Sequence, residues 1–207
     1  MITKNIQRTI FHASILCLCL TACESAGDDD NNSSGDNSAV IVIEGQPLAG
    51  YLGCSHLGES RENLEATLTK DKRKYQTSTI GDKVTITSDK SGTHETYTIE
   101  DNKVTEIQTI QKWSLKPKTE REAAVPCVRF TEECDNWSKT YGAPVSDDRT
   151  DYLTTPEKMA DIGLSIISGS FSMSCEWSLP DIYANITLSK RDDNVSGYKI
   201  TKNIATI

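Results

Sequence analysis

The chain has 207 residues, with 22 Lys and Arg against 30 Asp and Glu, and therefore a formal net charge of −8. Leu, Ile, Val and Phe together supply 43 residues, close to the roughly 20% share below which a charged chain rarely packs a core, which argues against a large enzyme with an extensive interior. The acidic balance also argues against duplex nucleic acid as a partner, because such binding needs a basic surface that displaces counterions from phosphates.

The first 22 residues have the pattern of an export signal. Lys4 and Arg8 supply a positive start, and an apolar stretch of about a dozen residues follows, which is too short for a membrane-spanning helix. The stretch closes on Leu20-Thr21-Ala22-Cys23, which is a branched apolar residue, two small residues and a cysteine. This order resembles the lipobox of bacterial lipoproteins. The alternative is an ordinary secretion signal, with Cys23 as a structural thiol.

The lipoprotein resemblance implies a lipid anchor at Cys23. In that family the cysteine thiol is diacylated, the signal peptide is cut before the cysteine, and the new amine usually receives a third acyl chain. Because each buried CH2 contributes about 0.8 kcal/mol, several chains form a stable anchor. Residue 24 is Glu, where Asp would be the inner-membrane retention signal of enteric-type sorting, so the outer membrane is the expected location.

Residues 23–39 form the expected link between the anchor and a folded domain. After Cys23 they contain five acids, no base and no large apolar residue, so no apolar burial offsets the entropy lost on ordering them. We expect an acidic disordered tether with a reach of roughly 20 to 25 Å. Removal of the two bases in residues 1–22 takes the formal net charge from −8 to −10.

The predicted globular domain, residues 40–207, contains Cys54, Cys127, Cys134 and Cys175. An even number of cysteines in an oxidising compartment predicts two disulfides with three possible pairings. We favour Cys127 with Cys134, since only six residues separate them, which leaves Cys54 with Cys175. Zinc bound at Cys54 and His56, with help from the other thiols, is the rival interpretation, but a Cys-x2-Cys partner pair is missing and zinc would compete with oxidation, so we expect no metal or other cofactor.

The same domain alternates apolar and polar side chains with the period of a β-strand, and it is rich in Thr and Ser. The clearest run is 167–177, which places Cys175 on an apolar face opposite a row of serines. Further strands are predicted from the alternation in residues 40–43, 64–69, 84–87, 97–99, 104–113, 184–189 and 198–200. About ten short strands predict a mainly β fold, a single antiparallel barrel or sandwich.

Two segments depart from this pattern. A short helix is predicted to begin at Thr155, with Pro156 at its first position, and to end at Gly163. Residues 117–152 are polar, charged and contain prolines, so loops are expected there, with a turn of helix at 119–124. The complete expectation is one short helix and two disulfides in a β domain.

A second resemblance begins at Leu48-Ala49-Gly50-Tyr51-Leu52-Gly53-Cys54, which precedes a meander of strands. It is similar to the opening of lipocalin-like barrels, in which a Gly-x-Trp motif begins the first barrel strand. Here Tyr51 follows Gly50, and no Trp is present in the segment. The resemblance implies an apolar-lined cavity for a small hydrophobic ligand.

The familiar catalytic motifs are missing from the sequence: it has no Gly-x-Ser-x-Gly elbow, no phosphate-binding Gly-rich loop and no His-Glu-x-x-His. After the signal only His56 and His94 remain, so a hydrolase with a histidine base would have to use one of them. Exposed loop positions are the simpler interpretation for both. We therefore expect no enzymatic activity, with an envelope hydrolase as the alternative.

Two basic clusters stand out on the acidic chain. In function they would contact anionic lipid headgroups, lipopolysaccharide phosphate or an acidic protein face. The alternative, which we favour, is that they are turn residues and edge-strand lysines that block pairing between sheets. The candidate contacts are Lys70, Lys72, Arg73 and Lys74 in the first cluster, and Lys112, Lys116 and Lys118 in the second.

These observations predict a lipid-anchored binding module that catalyses no reaction. It would face the periplasm or the cell surface from the outer membrane. Its expected partners are the membrane, through the acyl chains, and an envelope protein, lipid or lipopolysaccharide. A lipocalin-like carrier of a small hydrophobic ligand is the alternative within the binding class.

Overall fold

The computed structural model describes residues 55–90 and 92–207, together with the backbone of 42–43 and 46–47. The predicted signal, Cys23, the tether and the 48–54 segment with Cys54 lie outside the described residues. The strands are β1 Val42–Ile43, β2 Gln46–Pro47, β3 Tyr75–Ile80, β4 Lys83–Lys90, β5 Thr93–Glu100, β6 Lys103–Ser114, β7 Ser146–Asp147, β8 Met173–Leu179, β9 Ile182–Lys190 and β10 Gly197–Thr206. The helices are α1 Arg61–Lys70, α2 Glu120–Ala123, α3 Val125–Tyr141, α4 Arg149–Tyr152 and α5 Pro156–Ser168.

Eight strands form one antiparallel sheet in the order β3-β4-β5-β6-β10-β9-β8-β7. Two meanders meet at its centre, where β6 pairs with β10 along nine residue pairs. The mainly β, antiparallel prediction is confirmed. The barrel prediction is wrong, because β3 and β7 lie at opposite edges of the sheet and do not pair with each other. The short length of β7, only two residues, leaves little edge for closure.

The core lies on one face of this sheet. The strand register places apolar side chains side by side across six strands on that face. One such row contains Ile86, Tyr97, Ile107, Ile204, Ala184 and Trp177. Helix α3 packs against β8 and β9, and α5 packs against β9 and β10. The second layer of the described fold is therefore helical, not the second sheet of a predicted sandwich.

Helix α1 replaces a predicted strand at residues 64–69. Its side chains Leu64 and Leu68 are buried, while Ala66 between them is exposed. The spacing of four residues suits a helix as well as a strand, and Ser60 caps the helix by accepting a hydrogen bond from the Asn63 N–H. Leu64 and Leu68 alone fit a helix or a strand, and the Ser60 cap favours the helix.

Helix α3 occupies much of the segment in which loops were expected, and that prediction is wrong. Its buried face contains Phe130, Cys134, Trp137 and Tyr141, spaced by four, three and four residues. Pro126 lies in its first turn, where its missing N–H costs no hydrogen bond. Together with α1 and α4, this helix also corrects the expectation of a single short helix, while α2 agrees with the helical turn predicted at 119–124.

Helix α5 begins as predicted, with the Lys158 N–H donating to Thr155 Oγ1 at 3.3 Å. It does not end at Gly163, however. A Cβ at Gly163 would lie 1.9 Å from the carbonyl oxygen of Ala123, so the glycine lets α2 and α5 approach closely. The helix continues to Ser168 and ends at Gly169, which has a φ of 87°. The strand predicted over 167–177 is therefore confirmed only from Met173 onward.

No helix in the described part of the chain is long and apolar enough to cross a membrane.

Candidate functional site: a cleft between helix α3 and the sheet

A cleft of about 600 Å³ lies between α3 and the centre of the sheet. Its lining combines residues of β5, β6 and β10 with one flank of α3. The lining residues are Thr93, Ile107, Thr109, Gln111, Glu133, Asn136, Trp137, Lys139, Thr140, Lys202 and Ile204.

The floor of the cleft is built from three rows of cross-strand partners. Ile107 on β6 is opposite Ile204 on β10, and Thr109 is opposite Lys202. Gln111 is opposite Thr93 on β5, and its Nε2 donates to Thr93 Oγ1 at 2.9 Å. Alternate residues of a strand face the same side, so the floor changes from apolar to polar along its length.

The wall is the flank of α3 that contains Glu133, Asn136 and Thr140, together with Trp137. These positions follow the three- and four-residue spacing of one helix face. Trp137 is 2% exposed and contacts Tyr141 and Trp177, with ring centroids 5.4 and 5.6 Å apart. This aromatic packing fixes the wall against the core.

An ion pair joins the wall to the floor. Lys202 Nζ lies 2.6 Å from Glu133 Oε2, and both side chains are only about a quarter exposed. Beside this pair, Lys139 donates to Asn136 Oδ1 at 3.1 Å, and the amides of Asn136 and Gln111 and the threonine hydroxyls are the uncharged hydrogen-bonding groups next to the apolar floor. A cleft of this composition suits a ligand that has an apolar part and several polar groups, since specific sites are apolar with a few placed polar groups.

Arg73 of the first predicted basic cluster is a buried structural group. Its side chain is 8% exposed, and its Nη2 lies 2.6 Å from Glu95 Oε2. Tyr97 donates to the same carboxylate at 2.5 Å, and burial together with that hydrogen bond raises the pKa of Tyr97. The other members, Lys70, Lys72 and Lys74, are exposed around the turn from α1 to β3.

The second predicted basic cluster lies at the end of β6 and in the segment that follows this strand. Lys112 pairs with Asp192 at 2.8 Å, and Lys116 and Lys118 are exposed in the segment before α2. Trp113, which follows Lys112 in the chain, stacks on Tyr198, with ring centroids 5.1 Å apart. None of the seven predicted anion contacts is among the residues that line the cleft.

The two histidines lie apart from the cleft lining. His56 is in the turn before α1, with Nδ1 2.8 Å from Glu59 Oε2 and its ring edge against Tyr97. His94 is on the opposite face of β5 from the cleft, 45% exposed, with Nδ1 2.9 Å from Asp89 Oδ1. The two imidazoles each have a carboxylate partner but are not at one common site.

The predicted Cys127–Cys134 disulfide is wrong. Both residues lie on α3, seven positions apart, which is about 10.5 Å along a helix, whereas a disulfide needs Cα atoms within about 7 Å. Cys127, Cys134 and Cys175 are all buried free thiols in this structure. Cys54 lies outside the described residues, so its predicted bond to Cys175 stays a prediction.

Cys175 lies at a polar junction between α3 and the sheet edge. Its Sγ donates to Asp147 Oδ1 at 3.1 Å, and its side chain contacts that of Cys134. The Arg149 guanidinium donates twice to Asp147, at 2.8 and 2.6 Å, and holds the pKa of that carboxyl below its usual range. Among the described residues, no group of three or more Cys, His, Asp or Glu is arranged to hold a metal ion.

No protein-family model, curated protein or solved structure matches this chain. The cleft is therefore interpreted from its own residues. None of its lining residues was predicted from the sequence to be functional. One signal was present: Lys202 lies between Ile200 and Ile204 on the inward face of β10, where the alternation calls for an apolar side chain.

Proposed function

We propose that this chain is an outer-membrane lipoprotein, anchored through Cys23, whose folded domain is a non-catalytic binding module. The anchor is supported by the resemblance of Leu20-Thr21-Ala22-Cys23 to a lipobox and by the acidic segment that follows. The binding role is supported by the cleft between α3 and the sheet, and this is the observation that carries the proposal.

The occupant of the cleft is proposed to be an envelope component with both apolar and hydrogen-bonding parts. Ile107, Ile204 and Trp137 would contact its apolar part, and Asn136 and Gln111 its polar groups. Lys202 and Glu133 are paired with each other, and the remaining charged group in the lining is the Lys139 ammonium, which donates to Asn136 Oδ1 at 3.1 Å, so the other polar groups offered to a ligand are uncharged.

Photocrosslinking in the native envelope tests the binding role. A photoreactive phenylalanine analogue replaces Asn136 on the cleft wall or, as a matched control, Glu132, which is exposed on the same helix one turn earlier. We expect an adduct that forms from position 136 and not from position 132. The same adducts from both positions, or none from either, would contradict binding in the cleft.

Metabolic labelling tests the anchor separately. Labelled palmitate should enter the wild-type protein, and Cys23→Ser should lose the label and the membrane association. Cys19→Ser, inside the apolar stretch of the signal, is the matched control and should keep both. A Cys23→Ser protein that is still labelled and retained in the membrane would contradict the proposed anchor.

A carrier of a small hydrophobic ligand is the second candidate, and the apolar part of the floor favours it. Native mass spectrometry of protein extracted from its own envelope should then show a bound lipid that is lost when the cleft is filled. A mass equal to that of the ligand-free lipoprotein counts against the carrier role.

A further inference from the structure

We propose that Cys134 and Cys175 form a disulfide that ties α3 to β8. The structure brings the two side chains into contact, although 41 positions separate them in the chain. Both are 0% exposed, so neither is available to a partner protein once the domain has folded. Formation of this bond in the cell rests on the proposed export to an oxidising compartment.

Arg149 confirms independently that these two cysteines lie at one junction. Its guanidinium binds the Asp135 carboxylate at 2.6 Å and the Thr131 carbonyl at 3.4 Å, which places it beside Cys134 on α3. The same guanidinium binds Asp147, which is the cross-strand partner of Cys175 and accepts from its thiol. One side chain thus contacts the surroundings of both sulfurs.

The other pairings are less favourable in this fold. Cys127 is two helical turns from Cys134, and its thiol donates to the Met159 carbonyl oxygen at 3.4 Å, on the α5 side of the helix. Cys127 is therefore expected to remain a thiol. Pairing of Cys54 with Cys175 would require the contact with Cys134 to be given up.

The bond forms by thiol–disulfide exchange with a small-molecule or protein disulfide as the oxidant. The thiolate of one cysteine attacks the oxidant, forms a mixed disulfide and releases one reduced thiol. The second cysteine then attacks the protein sulfur of that mixed disulfide and releases the second reduced thiol. Two protein thiols and one oxidant disulfide thus become one protein disulfide and two oxidant thiols, and the two protons end on the released thiols.

Burial determines when the exchange takes place. The Cys134 hydrogen bond and burial both raise the pKa of Cys175, so the folded thiol is a poor nucleophile. We expect the bond to form during folding, before α3 closes over β8. Once formed, it fixes the helix that carries Glu133, Asn136 and Trp137 of the cleft wall.

Peptide mapping after oxidative refolding tests the pairing. The full mature chain is unfolded and reduced, refolded in reduced and oxidised glutathione, blocked with N-ethylmaleimide in denaturant and digested with trypsin. The cleavage sites place the four cysteines of the domain on separable fragments, with Cys127 in 122–129, Cys134 in 130–139 and Cys175 in 159–190. We expect 130–139 joined to 159–190, at about 2 Da below the summed masses because two hydrogens are lost.

The Cys127 fragment should carry N-ethylmaleimide in the same digest. Cys127→Ser, the matched control, should keep the joined fragments, and Cys134→Ser should lose them; if that variant fails to fold, the wild-type map decides alone. Blocked Cys134 and Cys175, or Cys175 joined to the Cys54 or Cys127 fragment, would overturn the proposal. This refolding does not depend on export, so a failed palmitate label leaves the pairing result standing.

Hydrogen exchange tests the consequence for the cleft wall. Amides of α3 should exchange more slowly in the oxidised wild-type protein than in the same protein after reduction, and Cys127→Ser should show the same difference. Equal exchange of α3 in both forms would overturn the idea that the bond fixes the wall.

Discussion

Lys202 on β10 lies 2.6 Å from Glu133 on α3, so an ion pair connects the centre of the sheet to the helix that covers it. Lys202 is on the inward face of a strand whose neighbouring inward positions, Ile200 and Ile204, are buried. The ion pair therefore connects the sheet to the helical layer at the edge of the core.

A double-mutant cycle should detect this connection. Lys202→Met and Glu133→Gln are expected to show a coupling free energy of unfolding of about 0.5–1 kcal/mol, because the pair is only partly screened by solvent. Lys199→Met on the same strand, with Asp192→Asn in the turn between β9 and β10, is the control pair, at 3.3 Å and with the carboxylate 56% exposed, and it should show a smaller coupling. Equal couplings in urea unfolding would contradict the assigned role.

Gly163 should resist substitution. In Gly163→Ala the new Cβ would overlap the Ala123 carbonyl oxygen, and the backbone of α2 cannot yield as a flexible side chain would. We expect a loss of about 1–3 kcal/mol in the free energy of unfolding, the usual cost of overpacking. Leu164→Ala, at the next, exposed position, should change it by less than about 0.5 kcal/mol. A Gly163→Ala protein as stable as the wild type would show that α2 and α5 do not approach so closely.

Asp147 should make the stability of the domain sensitive to acid. Hydrogen bonds from Arg149 lower the pKa of its carboxyl in the folded state, so the native protein holds the ionised form more strongly than the unfolded chain does. The resulting stabilisation is complete above the unfolded pKa of about 3.9 and is lost as the pH falls through the lower folded pKa.

The free energy of unfolding should thus decrease as the pH falls below about 4 in the wild type, and decrease less steeply in Asp147→Asn. Arg149→Gln removes the cause of the lowered pKa and should also reduce the slope. Urea unfolding at a series of acid pH values measures both effects. Identical slopes in the wild type and Asp147→Asn would contradict them.

Regular alternation made the second half of the sheet predictable. Ile182, Ala184, Ile186 and Leu188 are buried on one face of β9, as the sequence pattern predicts for a half-buried strand. The N-terminus of α5 was equally readable, because Thr155 and Pro156 are local signals that tertiary contacts rarely override.

Helix α3 was missed because its buried face contains no Leu, Ile or Val at the centre. Its inward positions are filled by Phe130, Cys134, Trp137 and Tyr141, and the surrounding charges make the segment resemble a loop. The cysteines themselves suggested a short disulfide loop, which is incompatible with the helix they belong to.

The cleft was not predictable from local pattern. Its floor exists because β6 pairs with β10, about 95 residues later along the chain at Gln108 and Asn203. Its wall exists because α3 packs on β8 and β9, beside the paired strands β6 and β10. Sequence periodicity determines which face of a strand is inward, but not which distant strand will be its neighbour.

Filling the cleft tests its role most directly. Thr109→Phe places an aromatic ring on the cleft floor, and Gln108→Phe places the same ring on the opposite face of β6 as a control. Both proteins also carry the photoreactive residue at position 136, and both must show the wild-type circular dichroism spectrum. We expect the adduct from position 136 to disappear in Thr109→Phe and to persist in Gln108→Phe. An adduct of equal yield in both proteins would show that the ligand does not occupy the cleft.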